Sequence, residues 1–247
     1  MVRRLLIRGM LAGFIAGLLA FGFARVFGEP HLERAIAFEN QMEAAKSHAS
    51  GHRHADAVTA ETVSRSVQAG IGLFTGIVVH ATAIGGLFAL VFAVANGRAA
   101  TVGPRAMAAI LGGAGFVSVY LVPTLKYPAS PPAVGDPGTI GPRTALFFIM
   151  LGISVAATIG AAMLRRWLAQ RQDGWTASLT TAATWLAVVT VAFLVLPAVN
   201  EVPDHFPADL LWQFRVAAVG IQVVLWAALG LLFGALAERA GKRLTRA

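Results

Sequence analysis

The chain has 247 residues, of which 57% are hydrophobic and only 13% charged, and its mean hydropathy is +0.69. A soluble domain carries about 25% charged residues; here the deficit falls in long uncharged runs separated by short charged segments, the pattern of repeated bilayer crossing. The net charge of +8 sits in the segments beside those runs rather than in a nucleic-acid-binding face, and the lack of cysteine excludes disulfides, thiolate metal sites and cysteine nucleophiles.

In chain order, six runs are long enough to cross hydrocarbon about 30 Å thick, which takes roughly 20 residues. They cover about 5–27, 68–96, 106–125, 144–164, 176–197 and 213–237 of a single membrane domain, 1–247. The first carries Gly9, Gly13 and Gly17, a four-residue spacing that makes a small-residue face for close helix packing. A signal peptide is the competing reading, but the run is longer than the apolar region of a signal, and a retained helix is expected. The second lies in the uncharged stretch 66–97, longer than one perpendicular crossing, and should tilt or extend beyond the membrane.

The expected fold is therefore all-α, with about six transmembrane helices in three hairpins, both ends inside and long outer loops. The short connections and the two ends hold Arg3, Arg4, Arg8, Arg98, Arg105, Arg165, Arg166, Arg171, Arg239, Lys242, Arg243 and Arg246 against only Asp173 and Glu238. Basic residues mark cytoplasmic loops, so these face the cytoplasm. The last of them suit contact with anionic lipid.

The outer connections, 28–65, 126–143 and 198–215, contain or adjoin every proline except Pro104. Each ends in an arginine at the next helix, Arg65, Arg143 and Arg215, which suggests either a repeated two-helix unit or common interfacial anchors. Within the first, Glu29-Pro30 is expected to open a short helix, whose stripe of Leu32, Ala35, Ile36 and Met42 would lie on the membrane surface or on the bundle. Lys126 to Pro142 reads as a stiff, extended, proline-rich loop. Asn200-Glu201-Val202-Pro203-Asp204 is short and acidic. Together with Arg143 and Arg215, these loops suggest a rigid vestibule, or prolines that merely end helices.

The outer histidine-bearing segment 28–65 holds His48, His52 and His54, followed by Asp56 and Glu61. Imidazole with carboxylate suits Co²⁺, Ni²⁺, Zn²⁺ or Cu²⁺. Weak, exchangeable metal capture and a plain polar linker both remain open. His31, Asp204 and His205 lie on the same side and are candidates to join. His80 falls near the middle of the second run. An ionisable group at that depth is costly and is expected to face the bundle interior with a partner, as an ion ligand or proton acceptor, or as a neutral imidazole bonded to backbone. Gln68, Thr75, Thr82, Ser118, Gln222 and Asn200 are weaker candidates, with the joining of helices as the alternative reading. No G-x-x-x-x-G-K-[ST], H-E-x-x-H or G-x-S-x-G occurs, and an intramembrane enzyme would need several convergent ionisable groups at depth.

Longer stretches carry a resemblance. The opening Arg8-Gly9-Met10-Leu11-Ala12-Gly13, then Phe27-Gly28-Glu29-Pro30 and Glu33 to Glu39, resemble the CbtA family of proposed cobalt transporter subunits. So do Lys126 to Ala129, Pro131 to Pro137, Pro197 to Pro203 and Phe206-Pro207-Ala208. The likeness runs over about residues 3–238. It implies a multi-pass protein of the bacterial cytoplasmic (inner) membrane linked to cobalt supply for cobalamin synthesis. It implies Co²⁺ as the transported ion, with no permanently bound cofactor. It also implies a small single-span companion with a histidine-bearing tail, CbtB. Beyond the lipid bilayer and that companion, an oligomer is compatible with the sequence. The family is usually described with five spans, one fewer than counted here, and it supplies no catalytic residue. Divalent metal uptake is the expected function. A non-conducting assembly subunit, or a carrier of nickel, is the alternative.

Overall fold

The computed structural model describes residues 2–50, 64–97 and 102–244. The structure is 85% helical, with no strand among the described residues. Six helices are long and apolar enough to cross a membrane: α1 (Val2–Ala45), α2 (Arg65–Ala95), α3 (Pro104–Lys126), α4 (Pro137–Leu168), α5 (Gly174–Val195) and α6 (Ala208–Arg239).

α1 shows how the chain handles proline. Pro30 has no amide to bond the carbonyl of Val26, and Pro123 none for that of Val119. Both carbonyls lie in wide turns, Ala24–Gly28 and Phe116–Leu121, where the amides of Glu29 and Val122 reach back five residues to Ala24 O and Val117 O. Such π-type turns accommodate a local misfit without ending the helix. The expected break at Glu29-Pro30 is therefore absent, and α1 continues beyond the first apolar run as far as Ser50. Its extension lies on the bundle. Ala35 is fully buried with Phe206 and Leu210, and the rings of Phe38 and Phe206 meet edge to face at 5.2 Å.

The proline-rich connection also differs from its expected extended form. It reverses at Ala133 (φ 66°) and Gly135 (φ 106°), with the Val134 amide bonded to Pro131 O at 3.2 Å. A 3-10 turn, Pro137–Thr139, leads into the regular part of α4, Ile140–Leu168, so Pro142 stands in its first turn, where a missing amide costs nothing. The Ala133 amide bonds Glu39 Oε1 at 3.2 Å and so ties this loop to the α1 extension.

The core is a seam of small residues. Gly9, Ala12, Gly13, Ala16, Gly17 and Ala20 are the buried face of α1, and they meet Val78, Ala81, Gly85 and Ala89 of antiparallel α2. A Cβ on Gly9 or Gly13 would overlap the carbonyl of Gly85 or Ala81. In lipid no hydrophobic force drives helices together, and dispersion at close approach replaces it. α3 and α6 meet the same way: a Cβ on Gly112 would lie 3.2 Å from Gly230 Cα. Phe88 and Phe92 of α2 close on fully buried Phe233 of α6 at 5.4 and 4.9 Å. α4 and α5 form a separate hairpin against the outer half of α3, through Val122, Met150, Val189 and Ala192. The antiparallel neighbours gather the basic ends on one side, where Arg105 and Glu238 lie 3.9 Å apart. On the expectation that basic ends face the cytoplasm, that side is taken as inner and the proline-rich end as outer.

Candidate functional site

A cavity of about 470 Å³ opens between the outer ends of α3, α4 and α6. Tyr120 and Thr124 line it from α3, Arg143, Thr144 and Phe147 from α4, and Arg215 from α6. Asn200 and Glu201 close it from the last outer loop. Glu201 organises the rim. Its Oε2 accepts from the Asp136 amide at 2.8 Å and from the Thr139 hydroxyl at 2.9 Å, and Arg143 Nε lies 3.3 Å away. The Asp136 amide first, then the Thr139 hydroxyl and the Arg143 charge, hold its carboxyl below the usual carboxylate range. Arg143 also donates to Asp136 O at 3.1 Å. Arg215 Nε donates to Ala129 O at 3.3 Å. Lys126 caps the free end of α5 by donating to Phe193 O at 2.8 Å, and Tyr127 donates to Pro197 O at 2.9 Å. The last two outer connections thus hold one another through side chains of their own and of the adjoining helices.

Below the cavity, Phe147 and fully buried Met150 form an apolar plug with Val122 and Val189. Beneath it, a crevice of about 360 Å³ lies between α3, α4 and α5. Thr158, Arg165, Ser178, Thr181 and Trp185 line it. Trp185 Nε1 donates to Thr158 Oγ1 at 3.1 Å, and Arg165 Nε to Ser178 Oγ at 3.2 Å. Ser154 is fully buried, and neither its hydroxyl nor that of Thr181 meets a partner among the described residues. Arg143, Phe147, Met150, Ser154, Thr158, Ala161 and Arg165 recur every three or four residues, which is one face of α4. At 1.5 Å per residue that stripe runs about 33 Å, close to the hydrocarbon thickness.

The expected residues fall unevenly. His80 is exposed on α2, away from the interior it was expected to face. His31 is half-buried with Nδ1 unpartnered among the described residues. Asp204 and His205 are exposed on the last outer loop. Among the described residues no three histidine or acidic side chains gather to hold a metal, so His31, Asp204 and His205 form no such group. His52 and His54, like Asp56 and Glu61, lie outside the described residues, as does the side chain of His48. Arg143, Arg215, Asn200 and Glu201 do converge on the outer cavity, and Lys126 lies beside it. Thr82 and Ser118 bond their own backbone, to Val78 O and Ala114 O, both at 2.7 Å, and join no helices.

Sequence reasoning missed two features. Glu29, its side chain only 4% exposed, forms an ion pair with Arg65 that ties the wide turn of α1 to the start of α2. Opposite charges at the facing ends of one hairpin were the available signal. It also missed Ser154 and Thr158, two hydroxyls one helical turn apart in an otherwise apolar run.

The family model described as "Probable cobalt transporter subunit (CbtA)" matches residues 2–238. No curated protein matches the chain. No solved structure matches it either.

Proposed function

This chain belongs to the CbtA family of probable cobalt transporter subunits, and from that premise we propose that it admits divalent cobalt through the α3–α4–α5 side of the molecule, for cobalamin synthesis. The observation that supports this route is the α4 stripe, which carries the outer cavity at one end, the hydroxyl-lined crevice at the other and one apolar plug between. The host membrane is the bacterial inner membrane, the histidines at 48, 52 and 54 collect metal outside, and the small histidine-bearing CbtB completes the system. An inward-negative potential of 100 mV is worth about 4.6 kcal/mol to a divalent ion, twice the single-charge value. That suffices without a nucleotide motor. Neutral hydroxyls suit passage because they are weaker ligands for a borderline ion such as Co²⁺ than imidazole or carboxylate.

Cobalt uptake into proteoliposomes, with and without the companion, tests the reading. The double substitution Ser154→Val with Thr158→Val should lower uptake on the order of tenfold, the cost of about one lost polar contact along the route. His80→Ala should change it less than about twofold, as expected of a side chain off the route. The reverse pattern would return the route to α2. No uptake under any condition would leave a non-conducting assembly subunit.

A further inference from the structure

We infer that the outer cavity binds a small carboxylate-bearing anion, so that cobalt reaches the outer mouth as a carboxylate chelate rather than as the hydrated ion. The cobalt in this statement rests on the proposed function; the anion site stands on geometry alone.

Three side chains charged at neutral pH line the cavity: Arg143, Glu201 and Arg215. Glu201 is engaged by the Asp136 amide, Thr139 and Arg143. Arg215 has no carboxylate within ion-pair range among the described residues. Its one hydrogen bond there runs from Nε to the Ala129 carbonyl, which leaves both terminal nitrogens of the guanidinium fork for a ligand. That fork matches a carboxylate in two parallel bonds. The lining keeps a net positive charge, which disfavours a bare divalent cation. It offers no imidazole and no unengaged carboxylate, the ligands that would hold such a metal. Thr124, Thr144 and Asn200 add neutral donors. At about 470 Å³ the cavity falls in the size range of small-molecule sites.

Calorimetry on the purified full chain tests this with citrate alone, inorganic phosphate alone and Co²⁺ alone. Citrate should bind saturably. Arg215→Gln should weaken it on the order of tenfold, the loss of one charge-assisted pair. Arg215→Lys should weaken it less, and neither variant should weaken binding of Co²⁺ alone. Asn200→Asp adds a negative charge at an exposed lining position and should weaken citrate too; it serves if Arg215→Gln does not fold. Absent citrate binding, or binding unchanged in these variants, overturns the inference. So does phosphate binding tighter than citrate, or displacement of citrate by anionic lipid in nanodiscs, since either assigns the site to a phosphate headgroup. In proteoliposomes at fixed free Co²⁺, citrate should raise uptake, and Arg215→Gln should remove the rise. Uptake that follows free Co²⁺ alone overturns delivery as a chelate and leaves the proposed function standing. No uptake in either form rejects the proposed function, while the citrate titration still decides the anion site.

Discussion

The two halves of the membrane domain are held together by different means. In the half made of α1, α2, α6 and the inner part of α3, glycine and alanine bring backbones into contact; 39% of the apolar window of α2 is buried, as is 33% of α1. In the other half, α4 and α5 bury only 11% and 17% of theirs, and their contacts include Thr158 with Trp185 and Arg165 with Ser178. Among the described residues, the buried hydroxyls of Ser154 on α4 and Thr181 on α5 have no partner. A dry seam of touching backbones has one way to pack and resists change. A loosely covered hairpin with polar groups along its face has local openings within reach. The contrast is in keeping with the proposed route through the hydroxyl half, with the glycine half as its support.

That contrast can be broken. Gly85→Leu should give the largest effect, because its Cβ would meet the Gly9 carbonyl and the backbone of Gly13. The cost should exceed about 4 kcal/mol, the range of severe overpacking, and detergent-resistant folded protein should be lost in a thermal melt. Gly160→Leu on α4, where nothing lies within 4 Å of the added carbon, should melt like the parent chain. Similar losses at both positions would erase the distinction between the halves.

Glu29→Gln comes next. It leaves Arg65 partly buried beside a neutral group, which costs about 3 kcal/mol when one partner of a buried pair is removed. Pairing it with Arg65→Met should restore part of the loss in the same melt, because the uncompensated charge is gone. Without restoration, the pair would be no tie between α1 and α2.

The smallest effect belongs to the rim. The Glu201 carboxyl is held below its usual range, so its contacts are fully formed above the ordinary glutamate value near pH 4.3 and are lost as pH falls through the lower folded value. The parent chain should therefore lose a little melting temperature below about pH 4, near the ordinary glutamate value. Glu201→Gln should begin lower and lack that acid-side fall. An identical pH profile for both proteins would remove Glu201 from the organisation of the loops.

Much of this was legible beforehand. The glycines at 9, 13 and 17 announced a packing face, and that face is buried against Ala81 and Gly85. The six runs appear as six helices of spanning length. Glu29-Pro30 misled, because a proline reads as the opening of a new helix and a wide turn can carry one helix through it. His80 misled for a deeper reason. Its depth follows from counting residues, but its direction depends on which side of α2 meets α1, and that is decided by the small residues Ala81 and Gly85 beside it.

The sequence by itself determined what is local and additive: the number of apolar runs, the clustering of the arginines in the short connections, the small-residue face and the family. Only the tertiary structure decided which faces turn inward, that Arg143 meets Glu201 across the outer loops, and that the α4 face carrying Thr158 turns toward Trp185 of α5. The reason is physical. A helix apolar on every side is equally at ease against lipid or protein, so its rotation is chosen by shape and by a few polar contacts from distant parts of the chain.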